Sequence, residues 1–176
     1  TETEIEESIR LLFEQHRLVV EGSGALGVGG LLKRKERFKG KKVVIYFYPK
    51  DNTPGCTTEG QDFRDLYPEF AGENTVIFGV SRDGLRAHEN FKAKFSVPFE
   101  LLSDGEETAC KLFDVLHEKV MYGRRVMGIV RSTFLIDEKG VLVNEWRKVR
   151  VKGHAQEVLE AARAADALQL ELVQVG

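Results

Sequence analysis

The run Val43-Val44-Ile45-Tyr46-Phe47-Tyr48 is built only from β-branched and aromatic residues, and it ends abruptly at Pro49-Lys50-Asp51-Asn52-Thr53-Pro54-Gly55-Cys56. Apolar residues then return at helical spacing from Thr57 to Phe70. A short run of this composition reads as a buried strand. The two prolines brace a turn, since each fixes its own φ. The chain is therefore committed to a buried strand, a rigid loop and a helix, with a cysteine where the helix begins. A helix N-terminus offers unpaired N–H groups and a partial positive charge. Both favour a thiolate over a thiol, and the thiolate is the nucleophile. Redox or nucleophilic sulfur chemistry is the expectation.

The rest of the chain frames that strand. Thr75–Val80 reads as a second strand, Leu85–Phe95 as a helix with Leu85, His88 and Phe91 in one stripe, and Phe99–Leu102 as a short strand. Glu106–Phe113 reads as a short helix and Ser132–Ile136 as a strand. Asp137-Glu138-Lys139-Gly140 is the turn of a hairpin returning along Val141–Trp146. Gly153 opens a last helix, with Val158, Leu159 and Ala162 on one face. Strands alternating with helices and closing in a hairpin predict an α/β fold around a mixed sheet flanked by helices. At 176 residues the chain suits a single domain, 1–176.

Composition narrows the function classes. Lys and Arg total 26 against 28 for Asp and Glu, a formal charge of −2. That balance exerts no global pull on nucleic acid or an anionic membrane. No apolar run approaches the ~20 residues a membrane helix needs. Two cysteines do not make a disulfide framework, so a reducing, cytoplasmic setting is expected. His16, His88, His117 and His154 are dispersed without ligand spacing, and no metal is expected.

Pro49, Thr53 and Cys56 have the spacing P-x-x-x-T-x-x-C, which resembles the peroxidatic signature of the peroxiredoxins. Gly79-Val80-Ser81-Arg82-Asp83, Leu102-Ser103-Asp104, Met121-Tyr122-Gly123, Arg131-Ser132-Thr133-Phe134-Leu135-Ile136-Asp137 and Gly153-His154-Ala155 narrow the likeness to the bacterioferritin-comigratory-protein (PrxQ-like) branch. The resemblance covers roughly residues 38–165. It implies a thioredoxin-like fold and a thiol-dependent peroxidase that needs no cofactor. Hydrogen peroxide and organic hydroperoxides would be its substrates, and thioredoxin or another thiol its reductant.

The resemblance also assigns roles. Cys56 would attack the peroxide and become a sulfenic acid. Thr53 offers a hydroxyl to orient thiolate and peroxide, and Pro49 shields the pocket. Arg131 supplies a permanent charge and a planar fork of donors, and Glu59, one helical turn past Cys56, holds Arg131. Backbone N–H groups of Gly55 and Cys56 are further candidates to bind the peroxide. The two positions where this branch usually carries a resolving cysteine are Gln61 and Lys92. Cys110, on the short helix next to Leu112 and Phe113, is the remaining resolving candidate, with a buried core cysteine as the plainer reading. A one-cysteine cycle in a monomer or weak homodimer is the expectation.

The N-terminal part departs from this pattern. Residues 3–16 read as a helix, Thr3 and Glu6 having capping-box spacing. Arg10-Leu11-Leu12-Phe13, Val20-Glu21-Gly22-Ser23-Gly24-Ala25-Leu26-Gly27 and Lys39-Gly40-Lys41-Lys42-Val43-Val44 make residues 6–44 look similar to part of a pyridoxal-phosphate serine/threonine dehydratase, so 1–37 is read as an atypical helical segment and the chain as a chimera. No dehydratase function follows. Gly22, Gly24 and Gly27 also satisfy G-x-G-x-x-G, a weak dinucleotide-binding signal without a suitable acidic residue after it. The basic run Lys33 to Lys42 reads as a solvated loop, and 166–176 as a tail. The competing functional reading is a recombined scaffold that keeps the fold without efficient turnover.

Overall fold

The computed structural model describes residues 40–174, and for 167–174 the helical backbone alone. The readings of the helix over 3–16, the glycine run, the basic run up to Lys39 and the chimera lie outside the described residues.

The elements run β1 (Lys42–Phe47), α1 (Pro54–Gly72), β2 (Thr75–Ser81), α2 (Leu85–Phe95), β3 (Glu100–Ser103), α3 (Thr108–Leu112), β4 (Leu116–Met121), β5 (Arg124–Ile129), β6 (Ser132–Ile136), β7 (Leu142–Arg147) and α4 (His154–Gln174). Among the described residues, five strands form one mixed sheet in the order β3-β2-β1-β6-β7. β1 pairs parallel with β2 and antiparallel with β6. The architecture is the expected thioredoxin-like α/β fold, and each element read from the described sequence is present to within a few residues.

β1 is central, which explains its composition. Val43, Ile45 and Phe47 point into a core shared with Phe78, Phe113, Ile129 and Phe134. Val44, Tyr46 and Tyr48 point the other way, into a core with Phe63, Phe70, Phe91, Leu135, Val158 and Leu159. With both faces covered, neither parity of the strand tolerates polar side chains. The one charge on β1 is Lys42, 1% exposed. Its Nζ donates to the Ala162 carbonyl at 2.8 Å and pairs with Asp166 at 2.6 Å, so the buried ammonium is satisfied and ties α4 to the sheet.

Two differences from the sequence reading stand out. The last helix continues through 166–174, the stretch expected to be a tail. A two-stranded ribbon, β4–β5, also occupies a region to which no element was assigned. Its turn is Tyr122-Gly123, at φ 52° and 75°. Two consecutive positive φ values define the tight hairpin turn that matches strand twist, and glycine serves its second position without strain. The ribbon was hard to read because only its base is buried, at Ile129, while Val120, Met121, Tyr122 and Met127 are exposed. No described helix is long and apolar enough to cross a membrane.

Candidate active site

The loop after β1 and the first turn of α1 form the site. Thr53 is the N-cap in extended conformation (φ −78°, ψ 150°) and Pro54 occupies the first helical turn. Pro54 has no N–H, so it leaves no orphan donor there. Cys56 lies in that same turn, 3% exposed. Cys56 thus belongs to the turn whose N–H groups lack intrahelical partners.

Arg131 arrives from the opposite direction of the chain. The antiparallel register pairs Phe47 with Ser132, which sets Arg131 beside the C-terminal end of β1, where the cysteine loop begins. Arg131 Nη2 donates to Cys56 Sγ at 3.4 Å. Its other terminal nitrogen, Nη1, donates to Glu59 Oε2 in a short, charge-assisted bond. Burial opposes the charge on Arg131, but the carboxylate of Glu59 and the sulfur of Cys56 outweigh it and hold the guanidinium ionised. Glu59 is itself 1% exposed, and its second oxygen, Oε1, has no hydrogen-bond partner among the described residues. Burial pushes its carboxyl up to about 7 against the attraction of Arg131. A Cβ on residue 55 would stand 3.1 Å from Arg131 Nη2, so Gly55 is what lets the guanidinium approach the helix start.

The Thr53 hydroxyl donates to the Lys50 carbonyl at 2.9 Å, which leaves its oxygen free to accept. Pro49 is half-buried at the start of the loop. Arg131 therefore contacts both Cys56 and Glu59, and Thr53 and Pro49 stand on the loop that leads to Cys56. Cys110 is not among them: it is fully buried in the core on the other face of the sheet. Burial, helped by the neighbouring Asp104, pushes its thiol well up, away from the reactive form. Gln61 lies on α1, and the Lys92 ammonium is bonded to Glu100 at 3.1 Å.

Three residues gained importance only in three dimensions. Asp51, read as an ordinary loop residue, is 5% exposed and accepts from the Tyr48 hydroxyl at 2.7 Å. Its other carboxylate oxygen faces His88 Nδ1 at 2.7 Å. Asp83 accepts from the Asp51 backbone N–H at 2.8 Å. One signal was available: His88 lies in the buried stripe of α2, where a polar ring needs partners.

Residues 28–145 match the model of the AhpC/TSA family. The chain is 54% identical over 136 residues to peroxiredoxin Bcp of Xanthomonas campestris, a match covering 77% of this chain and 85% of that protein. It is 52% identical over 126 residues to peroxiredoxin Bcp of Bacillus subtilis, covering 72% and 80%. Among solved structures, the Xanthomonas campestris bacterioferritin comigratory protein, studied for alkyl peroxide reduction, superposes with a TM-score of 0.70 at 54% identity, over 74% of this chain and 83% of that one. A Xylella fastidiosa PrxQ variant gives 0.71 at 47% identity, over 75% and 82%. With the Cys56–Arg131–Glu59 constellation at the expected helix start, the chain belongs to the AhpC/TSA family of peroxiredoxins, in its bacterioferritin-comigratory-protein (PrxQ) branch.

Proposed function

We propose that Cys56 is the peroxidatic nucleophile of a thiol-dependent peroxidase that runs a one-cysteine cycle. The Cys56 thiolate attacks the terminal oxygen of a hydroperoxide. The S–O bond forms as the O–O bond breaks, and the departing alkoxide takes a proton to leave as an alcohol, or as water when the substrate is hydrogen peroxide. Cys56 remains as a sulfenic acid.

The observation that carries this reading is the bond from Arg131 to the Cys56 sulfur in the first turn of a helix. The ionised guanidinium stabilises negative charge as it moves from sulfur onto the departing oxygen. Thr53, its own hydrogen engaged by Lys50, accepts from the peroxide O–H, and the unpaired N–H groups of Gly55 and Cys56 bind the peroxide oxygens. Glu59 fixes the guanidinium in the orientation that reaches the sulfur. Pro49 shields the pocket from water.

Regeneration uses outside thiols. One displaces water from the sulfenic acid to give a mixed disulfide, and a second releases Cys56 as thiol with formation of the outside disulfide. Thioredoxin, glutaredoxin or a small thiol meets this requirement. The burial of Cys110 in the opposite core, with Gln61 and Lys92 at the other two positions, supports the one-cysteine form.

Rapid mixing of reduced protein with hydrogen peroxide, read by mass, tests the proposal, with Cys56→Ser as control. The expected result is stoichiometric sulfenic acid at Cys56, formed far faster than on a free thiol. Oxidation at free-thiol speed overturns the reading and leaves the recombined scaffold.

A further inference from the structure

The loop that carries Pro49, Thr53 and Cys56 is fastened at its midpoint, and the fastening belongs to no catalytic contact described above. Asp51 is gripped three ways. Tyr48 donates to Oδ1 at 2.7 Å, His88 Nδ1 meets Oδ2 at 2.7 Å, and the Asp51 N–H donates to Asp83 at 2.8 Å. His88 is held in turn, its Nε2 facing the Leu102 carbonyl at 3.2 Å. Asp83 is fixed by the Ser81 hydroxyl at 2.7 Å. The grip thus ties the cysteine loop to α2 and to the ends of β2 and β3. Both partners of the central pair are almost fully buried, His88 at 2% and Asp51 at 5% exposed. The next residue, Asn52, has φ 60°, a left-handed conformation that persists where the surroundings over-determine it.

The catalytic cycle makes opposite demands on this loop. Attack on peroxide requires Thr53, the helix start and Arg131 to be held in register around the sulfur. Reduction requires an outside thiol to reach a sulfur that is 3% exposed, so the loop must yield. We propose that Asp51 and His88 are positioning residues whose pairing holds the 49–53 loop in the peroxide-reactive geometry and whose release opens Cys56 to the reducing thiol. The inference rests on Cys56 being the peroxidatic nucleophile. The pair touches neither substrate nor sulfur and acts through the loop.

The test compares the parent with Asp51→Asn, His88→Gln and the double variant in two separate rapid-mixing experiments. One follows oxidation of the reduced protein by hydrogen peroxide. The other follows reduction of freshly formed sulfenic acid by 2-mercaptoethanol. In each variant oxidation is expected to slow on the order of tenfold to a hundredfold, the scale of about 1 Å of misplacement, while reduction by the thiol speeds up. The double variant should be no slower in oxidation than the slower single variant, because the two residues act as one unit. Asp51→Asn keeps the packing volume, so opposite movement of the two rates in that variant, with no further loss in the double variant, reports the pair and not lost packing. Oxidation within about twofold of the parent, additive losses in the double variant, or a fall in both rates together overturns the proposal. If His88→Gln fails to fold, Asp51→Asn decides on the two rates alone, since it keeps the volume and removes the carboxylate. Slow oxidation of the parent itself is a different failure: it removes the peroxidase reading, whereas this proposal fails when the parent is fast and the variants do not diverge as stated.

Discussion

Cys56 and Cys110 lie in the two hydrophobic cores on opposite faces of the central sheet, Cys56 with Tyr46 and Tyr48, Cys110 with Phe47 and Phe113. β1 stands between them. A disulfide needs Cα atoms within about 7 Å and Cβ atoms aimed at one another. Non-reducing mass spectrometry after one equivalent of hydrogen peroxide should find sulfenic acid or its products at Cys56 and no Cys56–Cys110 bond. A stoichiometric bond between the two would overturn the one-cysteine cycle.

Arg131 serves two partners with two nitrogens, which a lysine cannot copy, because an ammonium is a point charge without a planar fork. Arg131→Met is expected to slow oxidation of Cys56 on the order of 100-fold, the scale of one lost transition-state donor. Arg131→Lys should recover only part of that loss. Stopped-flow oxidation rates with hydrogen peroxide check both, and parent-like rates in Arg131→Met would remove the arginine from the mechanism.

Glu59 gives stability a pH dependence of definite sign. Its carboxyl is raised by burial from 4.5 to about 7, so the folded protein binds the proton more tightly than the unfolded chain. The stability this contributes is fully present below 4.5 and is lost as pH rises through about 7. Urea unfolding across that window should show the parent losing stability relative to Glu59→Gln as pH rises. A flat or opposite difference would contradict the assignment.

His154 slopes the other way. It is buried against Thr133, whose Oγ1 lies 2.7 Å from its Nε2, and burial lowers it from 6.5 to about 4. The stability gained by keeping the ring neutral is present above 6.5 and lost as pH falls through about 4. In acid the parent should therefore lose more stability than His154→Phe, as read from thermal unfolding at stepped pH.

Gly79 is the described glycine at which an added Cβ would come closest to its neighbours. A Cβ there would meet Leu101 Cδ2 at 2.7 Å and the Tyr46 ring at 2.9 Å. Gly79→Ala should cost about 1–3 kcal/mol by overpacking, measured as a lower urea midpoint with unchanged slope. A neutral result would mean that Tyr46 and Leu101 move aside freely.

What local order determines was legible in the sequence. The apolar run 43–48, the proline-braced loop, the helix after it and the Asp137–Gly140 turn are set by side-chain periodicity and backbone restriction, which act over a few residues. Cys56 followed from the same local logic, and Arg131 and Glu59 from the family likeness. Tertiary structure alone decided which distant residues meet. The Phe47–Ser132 register brings Arg131 to the sulfur, and the packing of α2 on β3 brings His88 to Asp51. Neither pairing leaves a local periodic signal, because both depend on strand order and on which face of the sheet a side chain enters. The exposed β4–β5 ribbon and the separation of the two cysteines belong to the same class. Hydrophobic patterning dictates that a residue is buried, but only the assembled sheet dictates beside what.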